Sequence, residues 1–486
     1  MSAAFVDAAR AWAAQDPDAV TRAELEALIA DADAGSEEAA AGLADRFGSR
    51  LAFGTAGLRG ALGAGPNRMN RVLVAQAAAG FAAYLLERAD AGVSPTVVIG
   101  YDGRRNSDVF ARDSAEIFAG AGLHPILLPR LLPTPVLAFA VRHLGADAGV
   151  MVTASHNPPD DNGYKVYLGG ANDGSQIVAP ADGEIAAHID RVAASEDVSR
   201  LPRSVGYANA PEDVVSAYVA ATAAVAHAGA GAEGLRWVYT AMHGVGWETF
   251  AQVLDAAGYP RPTTVTEQLE PDGLFPTVAF PNPEEPGALD LAYEAATASN
   301  AELIIAHDPD ADRLAVALPE GEADARSWRR LTGNEVGLLL GWRAAREAAA
   351  AGGADASASL ACSLVSSPGL RVIAEHYGLS AHETLTGFKW ISRAPGMIFG
   401  FEEALGYLVN PETVRDKDGV SAAIAILGLA TAARAEGRTL ADELTEMGTL
   451  FGHFASGQIS VRVDDLGVIT RTMDALRADV PAELGE

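Results

Sequence analysis

The chain is short of cysteine, of positive charge and of long apolar runs, and each shortage closes off a class of protein. Cys362 is the only cysteine in 486 residues, so no intramolecular disulfide can form, which suits a reducing cytoplasm. Its apolar setting at residues 359–365 predicts a buried, inert thiol. Lys and Arg number 35 against 64 Asp and Glu, a net charge of −29. So acidic a chain argues against nucleic acid and anionic membrane as partners. The most apolar helical stretch, residues 420–433, is interrupted by Ser421 and Thr431 and is too short to span a bilayer, so a core helix is expected. Residues 1–20 carry Asp7, Arg10, Asp16 and Asp18 and lack the basic start and apolar core of a targeting segment. A soluble, cytoplasmic protein is expected. What is present is ordinary globular material, 49% hydrophobic and 20% charged, with length for roughly three or four domains.

The stretch T-A-S-H-N-P-P-D-D-N-G-Y-K-V-Y at residues 153–167 organises the rest. Residues 148–152 read as a short buried strand and residues 164–168 as another. Between them Pro158-Pro159 and Asn162-Gly163 predict neither helix nor ladder, which puts Ser155 at a loop tip fed by a stiff strand. A serine hydroxyl becomes a useful nucleophile only with a base, a lowered pKa or a metal. His156 is adjacent, and Lys165 returns at the expected start of the second strand. A polar turn with a capping serine is the plain alternative; it does not account for serine, histidine and lysine framed by two prolines. The T-A-S-H-N-P and N-G-Y-K segments resemble the phosphoserine loop of the phosphoglucomutase/phosphomannomutase (α-D-phosphohexomutase) superfamily. The resemblance implies that Ser155 carries a phosphoryl group and that Lys165 is an acid or base, with His156 assisting.

Residues 3–47 read as helices forming an N-terminal cover. Then G-T-A-G-L-R-G at residues 54–60 forms a glycine-dense turn before an amphipathic helix expected over residues 69–87. It lacks the Lys-Ser/Thr ending of a nucleotide-binding P-loop. It is similar to the family's first active-site segment, which implies that Arg59 contacts phosphate. Three stretches, beginning near residues 96, 235 and 360, repeat strand, small-residue loop, helix and terminal glycine. Their wide separation suggests three related α/β domains rather than a solenoid, and the superfamily has three such domains and a different fourth. The expected division is 1–205, with the serine loop; 206–322; 323–449; and a short, apparently incomplete α+β domain at 450–486. Residues 193–211 read as a linker and residues 319–330 as a charged loop.

Between expected strands at residues 302–306 and 314–318 lies D-P-D-A-D-R, residues 308–313. Asp308, Asp310 and Asp312 can converge on one side of an extended loop, and such a concentration of charge is favourable only with a cation. Oxygen donors alone point to Mg²⁺ or Ca²⁺ rather than zinc. An EF-hand fails, because Arg313 stands at its glycine position and Pro319 at its final glutamate. A solvated acidic turn is the alternative. The segment is similar to the family's Mg²⁺ loop, where the phosphoserine, here Ser155, supplies a fourth oxygen; Arg313 would then steady the phosphosugar. His307 is expected to pack rather than ligate.

Glu402 and Glu403 are neighbours on an expected strand, so only one can face a ligand. F-E-E-A-L-G resembles the family's sugar-binding loop, which implies Glu402 at the hydroxyl contact, with Ala404 where the family has serine. T-G-F-K matches a further segment, implying Thr386, Gly387 and Lys389 as substrate contacts. No Arg-Pro-Ser-Gly-Thr-Glu-Pro-like phosphate loop follows; one strand (458–463) and one helix (about 467–478) are expected instead. The resemblance implies a Mg²⁺-dependent mutase interconverting sugar 1-phosphates and hexose 6-phosphates, of glucose or mannose, with a sugar bisphosphate such as glucose 1,6-bisphosphate as activator. A phosphopentomutase or bisphosphate-forming phosphotransferase is the second reading, and a non-catalytic phosphosugar-binding relative the third.

Overall fold

The computed structural model describes residues 2–195, 197–321, 327–351, 357–457, 463, 465 and 467–480. Three helices, Ser2–Gln15, Ala19–Asp33 and Glu37–Phe47, cover the first sheet's side of the molecule, their apolar faces (Ala9, Trp12, Leu25, Leu43) joining its core. Asp18 and Ser36 cap the second and third by accepting the backbone N–H groups of Val20 and Ala39.

Sixteen strands form three sheets among the described residues. The first contains β1 (Leu58–Ala61), β2 (Thr96–Tyr101), β3 (His124–Leu127), β4 (Ala148–Val152), β5 (Asp161–Leu168), β6 (Ser175–Gln176) and β7 (Ala208–Asn209). Its order is β1-β5-β4-β2-β3-β7, with β6 beside β5. The second contains β8 (Trp237–Thr240), β9 (Thr263–Thr264), β10 (Leu303–His307), β11 (Leu314–Glu320) and β12 (Ser327–Arg330), in the order β12-β11-β10-β8-β9. The third contains β13 (Ser359–Ser363), β14 (Ser380–Thr384), β15 (Met397–Glu402) and β16 (Gly406–Leu408), in the order β14-β13-β15-β16.

All three share one plan. In each, central parallel strands that are buried and apolar, as two-sided burial requires, lead into an antiparallel hairpin: β4–β5, β10–β11 and β15–β16. The three hairpin loops, residues 153–160, 308–313 and 403–405, are the serine, metal and sugar segments of the sequence. They meet. Arg313 bridges Gly406 across the second and third sheets, and Ser155 reaches Asp308 across the first and second.

Several expectations are corrected. Asn162-Gly163 is not a turn: both residues lie within β5, paired with Gly60 and Arg59 of β1. The Gly163 position requires glycine, because a Cβ would lie 2.6 Å from Thr153 O and 2.8 Å from Leu58 O. Lys165 is therefore inside its strand rather than at its start, and Ser155, only 3% exposed, is not at an open loop tip. Helix Arg71–Arg88 is buried nearly all round rather than amphipathic. It is pressed against helix Ala181–Ser195, where Gly80 has no room for a Cβ beside the Ile189 backbone. The linker read at residues 193–211 contains β7, and residues 319–330 include the ends of the β11–β12 pair. Cys362 is buried, and burial pushes its thiol up to about 12.

Helix Gly419–Ala435 is a core helix, and no single described helix is long and apolar enough to cross a membrane. Helix Gly467–Ala478 forms where expected. The strand expected at residues 458–463 lies outside the described residues except for Val463.

Candidate active site

The serine loop is held from inside its own sheet. Ser155 adopts the left-handed region at φ 49, which costs a non-glycine residue and persists only under constraint. The constraint is Arg104. Its Nη1 donates to Pro158 O (2.8 Å) and Asp161 O (3.1 Å), and its Nη2 donates to Ser155 O (2.6 Å) and to Asn157 O. One planar fork thus satisfies four loop carbonyls, which lysine could not do. Asp102 fixes the turn below, accepting from the Arg104 N–H (3.0 Å) and the Ser107 hydroxyl (2.7 Å).

The metal loop is held from outside its sheet. The ligand oxygens of Asp308, Asp310 and Asp312 lie within 4.8 Å of one another, all three residues buried. Ser155 Oγ donates to Asp308 Oδ2 at 2.7 Å and lies 3.2 Å from His156 Nδ1. Lys165 Nζ is 2.8 Å from both Asp310 Oδ2 and Asp312 Oδ2. Lys417 Nζ adds a contact to Asp312 Oδ2 at 3.2 Å. Thr134 donates its hydroxyl to Asp310 Oδ2 at 2.6 Å.

Three acids share this charge unequally. Burial, then the charges of Asp310 and Asp312, pushes the Asp308 carboxyl well up, because no ammonium pairs with it. Burial would also raise Asp310 and Asp312, but the ammonium groups beside them hold both below the ordinary value. Lys165 is kept protonated: burial disfavours its charge and the two aspartates more than offset that. His156 moves the other way. Burial, then Arg313 and Arg59, pushes its imidazole well below the ordinary value, so the ring is neutral at pH 7.

Asp310 Oδ1 and Asp312 Oδ1 are buried without any hydrogen-bond partner. Orphaned carboxylate oxygens are costly unless something binds them. Two such oxygens beside a third carboxylate and a serine hydroxyl fit a hard divalent cation, and nothing in the donor set is soft enough to favour zinc or copper. His307 is no ligand: Nδ1 meets Tyr239 Oη at 3.0 Å and Nε2 meets Gly419 O at 3.0 Å.

On the sugar side Glu402 is buried while Thr386 is exposed. Glu402 ends β15, and burial raises its carboxyl against the opposing pull of Lys417 and Arg313. Glu403 points elsewhere, accepting from Ser363 Oγ (2.8 Å) and Ser366 Oγ (2.9 Å). Arg59 Nη1 contacts Asn157 Oδ1 at 3.4 Å, and both Arg59 Nε and Arg313 Nε are buried and unpartnered. Two guanidinium groups with free donors beside a serine hydroxyl form a setting for a phosphate. Lys389 donates to the Thr55 hydroxyl of the glycine-dense turn. Gly387, at φ 111, makes the turn into helix Phe388–Ile391, and Thr386 is exposed. Among the described residues no hydrogen bond ties Thr386 or Gly387 to the serine or metal loop.

Sequence reading missed Arg104, Thr134 and Lys417. A signal for the last existed: the only lysines are Lys165, Lys389 and Lys417, and all three contact the metal loop or the glycine-dense turn. Arg104 and Thr134 sit in motifs with no chemistry of their own.

Three tandem α/β units converging on a serine, a buried carboxylate triad that could hold a cation and guanidinium groups with unpartnered donors fit a class of phosphoryl-handling proteins. Family models described as phosphoglucomutase/phosphomannomutase alpha/beta/alpha domains I, II and III match residues 50–196, 216–321 and 332–450. The chain belongs to the phosphoglucomutase/phosphomannomutase family. It is 56% identical to a Haemophilus influenzae protein named probable phosphomannomutase, over 86% of this chain and 83% of that protein. It is 36% identical to the human phosphopentomutase, over 96% of this chain and 78% of that protein. A solved structure of a phosphoglucomutase/phosphomannomutase family protein from Burkholderia thailandensis superposes with a TM-score of 0.68, covering 89% of this chain and 84% of that one at 21% identity, a likeness of fold.

Proposed function

We propose that the chain is a Mg²⁺-dependent phosphosugar mutase that interconverts sugar 1-phosphates and hexose 6-phosphates through a phosphorylated Ser155. The observation that carries this is the 2.7 Å contact of Ser155 Oγ with Asp308, inside a carboxylate triad that leaves two oxygens unpartnered. Asp308, Asp310, Asp312 and Ser155 would hold the cation, which when bound supplies positive charge against the oxygens of a phosphoryl group in transfer.

Transfer from Ser155 breaks the Oγ–P bond and forms a sugar O–P bond. The sugar hydroxyl loses a proton as the serine oxygen gains one, giving a sugar bisphosphate. Transfer of its other phosphoryl group back to Ser155 reverses both proton movements, restores the phosphoserine and leaves the isomeric monophosphate. His156, neutral and 3.2 Å from Ser155 Oγ, suits the accepting role. Lys165, held protonated by two aspartates, suits the donating one. Arg59, Arg313 and Lys389 supply donors for phosphate oxygens, and Glu402 accepts from sugar hydroxyls, with Thr386 and Gly387 at the entrance. A sugar bisphosphate would prime Ser155. Glucose or mannose phosphate is the first substrate and ribose or deoxyribose phosphate the second. The order follows the 56% identity to a protein named for phosphomannose, against 36% to a phosphopentomutase.

Intact-mass spectrometry after incubation with glucose 1,6-bisphosphate and Mg²⁺ tests the carrier. One phosphate is expected on the wild type and none on Ser155→Ala. A chain that never takes up phosphate overturns the mutase reading and favours a phosphosugar-binding role. Turnover measured on hexose and pentose phosphates side by side decides the substrate; a clear pentose preference reverses the order of the two.

A further inference from the structure

Thr134 opens helix Thr134–His143 of the first α/β unit, between Pro133 and Pro135, and is fully buried. It reaches across the unit boundary with both of its donors. Its backbone N–H donates to Asp310 O at 2.9 Å, and its hydroxyl donates to Asp310 Oδ2 at 2.6 Å. Lys165 Nζ occupies the same Oδ2 at 2.8 Å. One oxygen of the central aspartate therefore carries two donors while the other, Oδ1, carries none. A carboxylate held this way cannot turn about its terminal bond without losing two charge-assisted hydrogen bonds, each worth more than a neutral one.

We propose that Thr134 is a positioning residue for the cation: by saturating Asp310 Oδ2 it presents Oδ1 to the metal and fixes the carboxylate plane. The inference rests on the reading of the aspartate triad as a cation site. Groups that orient a metal's ligands tune its affinity, and losing one typically costs about 10- to 100-fold. Thr134 is 176 residues from Asp310 in the chain and belongs to the other unit, so cation affinity also reports how well the first and second units are docked. The proline on each side restricts the backbone at Thr134 and its neighbours, which places the residue at the start of the helix.

The test is a direct Mn²⁺ titration of the full chain, read from the loss of the free-ion electron paramagnetic resonance signal, so that turnover is not involved. Thr134→Val removes the hydroxyl at constant shape and is expected to weaken Mn²⁺ binding about 10- to 100-fold. Thr134→Ser restores the hydroxyl and is expected to stay within about threefold of wild type, a hydroxyl-specific rescue that a packing role would not produce. A wild type that binds no Mn²⁺ overturns the cation reading itself. A wild type that binds while Thr134→Val binds equally well overturns the role of Thr134 alone. Serine and valine variants weakened equally place the effect in the lost methyl contacts and also overturn it. Should Thr134→Val fail to fold, Thr134→Ala replaces it in the same comparison with serine.

Discussion

The metal loop makes two junctions, and they are built from different material. Towards the first sheet it is joined mainly by side chains, Ser155 to Asp308, Lys165 to Asp310 and Asp312, Thr134 to Asp310, with one backbone bond from the Thr134 N–H to Asp310 O. Towards the third sheet it is joined by one charged side chain, Lys417 on Asp312 at 3.2 Å, and otherwise largely by backbone. Arg313 bridges Gly406, the Leu314 N–H donates to Leu405 O at 3.1 Å, and Gly419 packs against the carbonyls of Ala311 and Arg313. Backbone contact is indifferent to most substitutions but intolerant of added volume. A junction of buried charged side chains depends on each partner, since losing one strands the others. The first junction should therefore govern chemistry and the second stability.

The largest effect expected at the first junction is from Asp310→Ala. It removes one of the two orphaned oxygens and the shared partner of Lys165 and Thr134, so kcat/KM should fall by roughly 10³-fold or more. The protein should stay folded, because the change also relieves repulsion among three buried carboxylates. Excess chelator should reduce wild-type activity to a similar level. Full activity in either case would remove the three aspartates from the mechanism.

His307 tests where the two junctions meet, since it binds Gly419 O on one side and precedes Asp308 on the other. Burial pushes its imidazole down to about 4, against a partial opposing pull from the Gly419 carbonyl. The unfolded chain takes a proton on this ring near pH 6.5 and the folded one does not until about pH 4. The stability that the neutral ring supports is thus complete above pH 6.5 and lost as pH falls towards 4, up to about 3 kcal/mol. Urea unfolding of wild type and His307→Gln across pH 7 to 4 should show a shallower fall in the variant. Parallel curves would mean that the ring is not held neutral.

How much of this could be read from the chain depends on where the chemistry sits. Ser155 and the three aspartates lie in short contiguous loops, and Glu402 at the strand end that opens one, each beside residue types that the proposed chemistry uses, so they stand out. Arg104 and Thr134 do not, because each acts on a loop more than fifty residues away, and an arginine after a strand or a threonine between prolines has many ordinary uses. Asn162-Gly163 was misleading for a related reason. Asn-Gly usually turns a chain, but here a neighbouring backbone needs the missing Cβ. The strand–loop–helix repeat was legible as local pattern. The stronger regularity, a functional loop on the antiparallel hairpin of each sheet, was not, since it exists only once strands are paired.

The second junction gives the smallest and most discriminating effect. Gly419 is the first residue of helix Gly419–Ala435, capped by Asp418, whose Oδ1 accepts the N–H groups of Val420 and Ser421 at 3.0 Å. A Cβ at Gly419 would fall 2.4 Å from Arg313 O and 2.8 Å from Ala311 O, both backbone atoms that cannot swing away. Gly419→Ala must therefore push the helix off the metal loop, at a cost of about 1–3 kcal/mol typical of overpacking. The strain falls on the side of the loop facing the third sheet. The contacts of Ser155, Lys165 and Thr134 with the loop are made to aspartate side chains and to the Asp310 carbonyl, none of them to Gly419. The variant should melt at a lower temperature yet still take one phosphate on Ser155 from glucose 1,6-bisphosphate. A variant that keeps its melting temperature but no longer accepts phosphate would show that the backbone junction governs chemistry after all, and the division between the two junctions would fall.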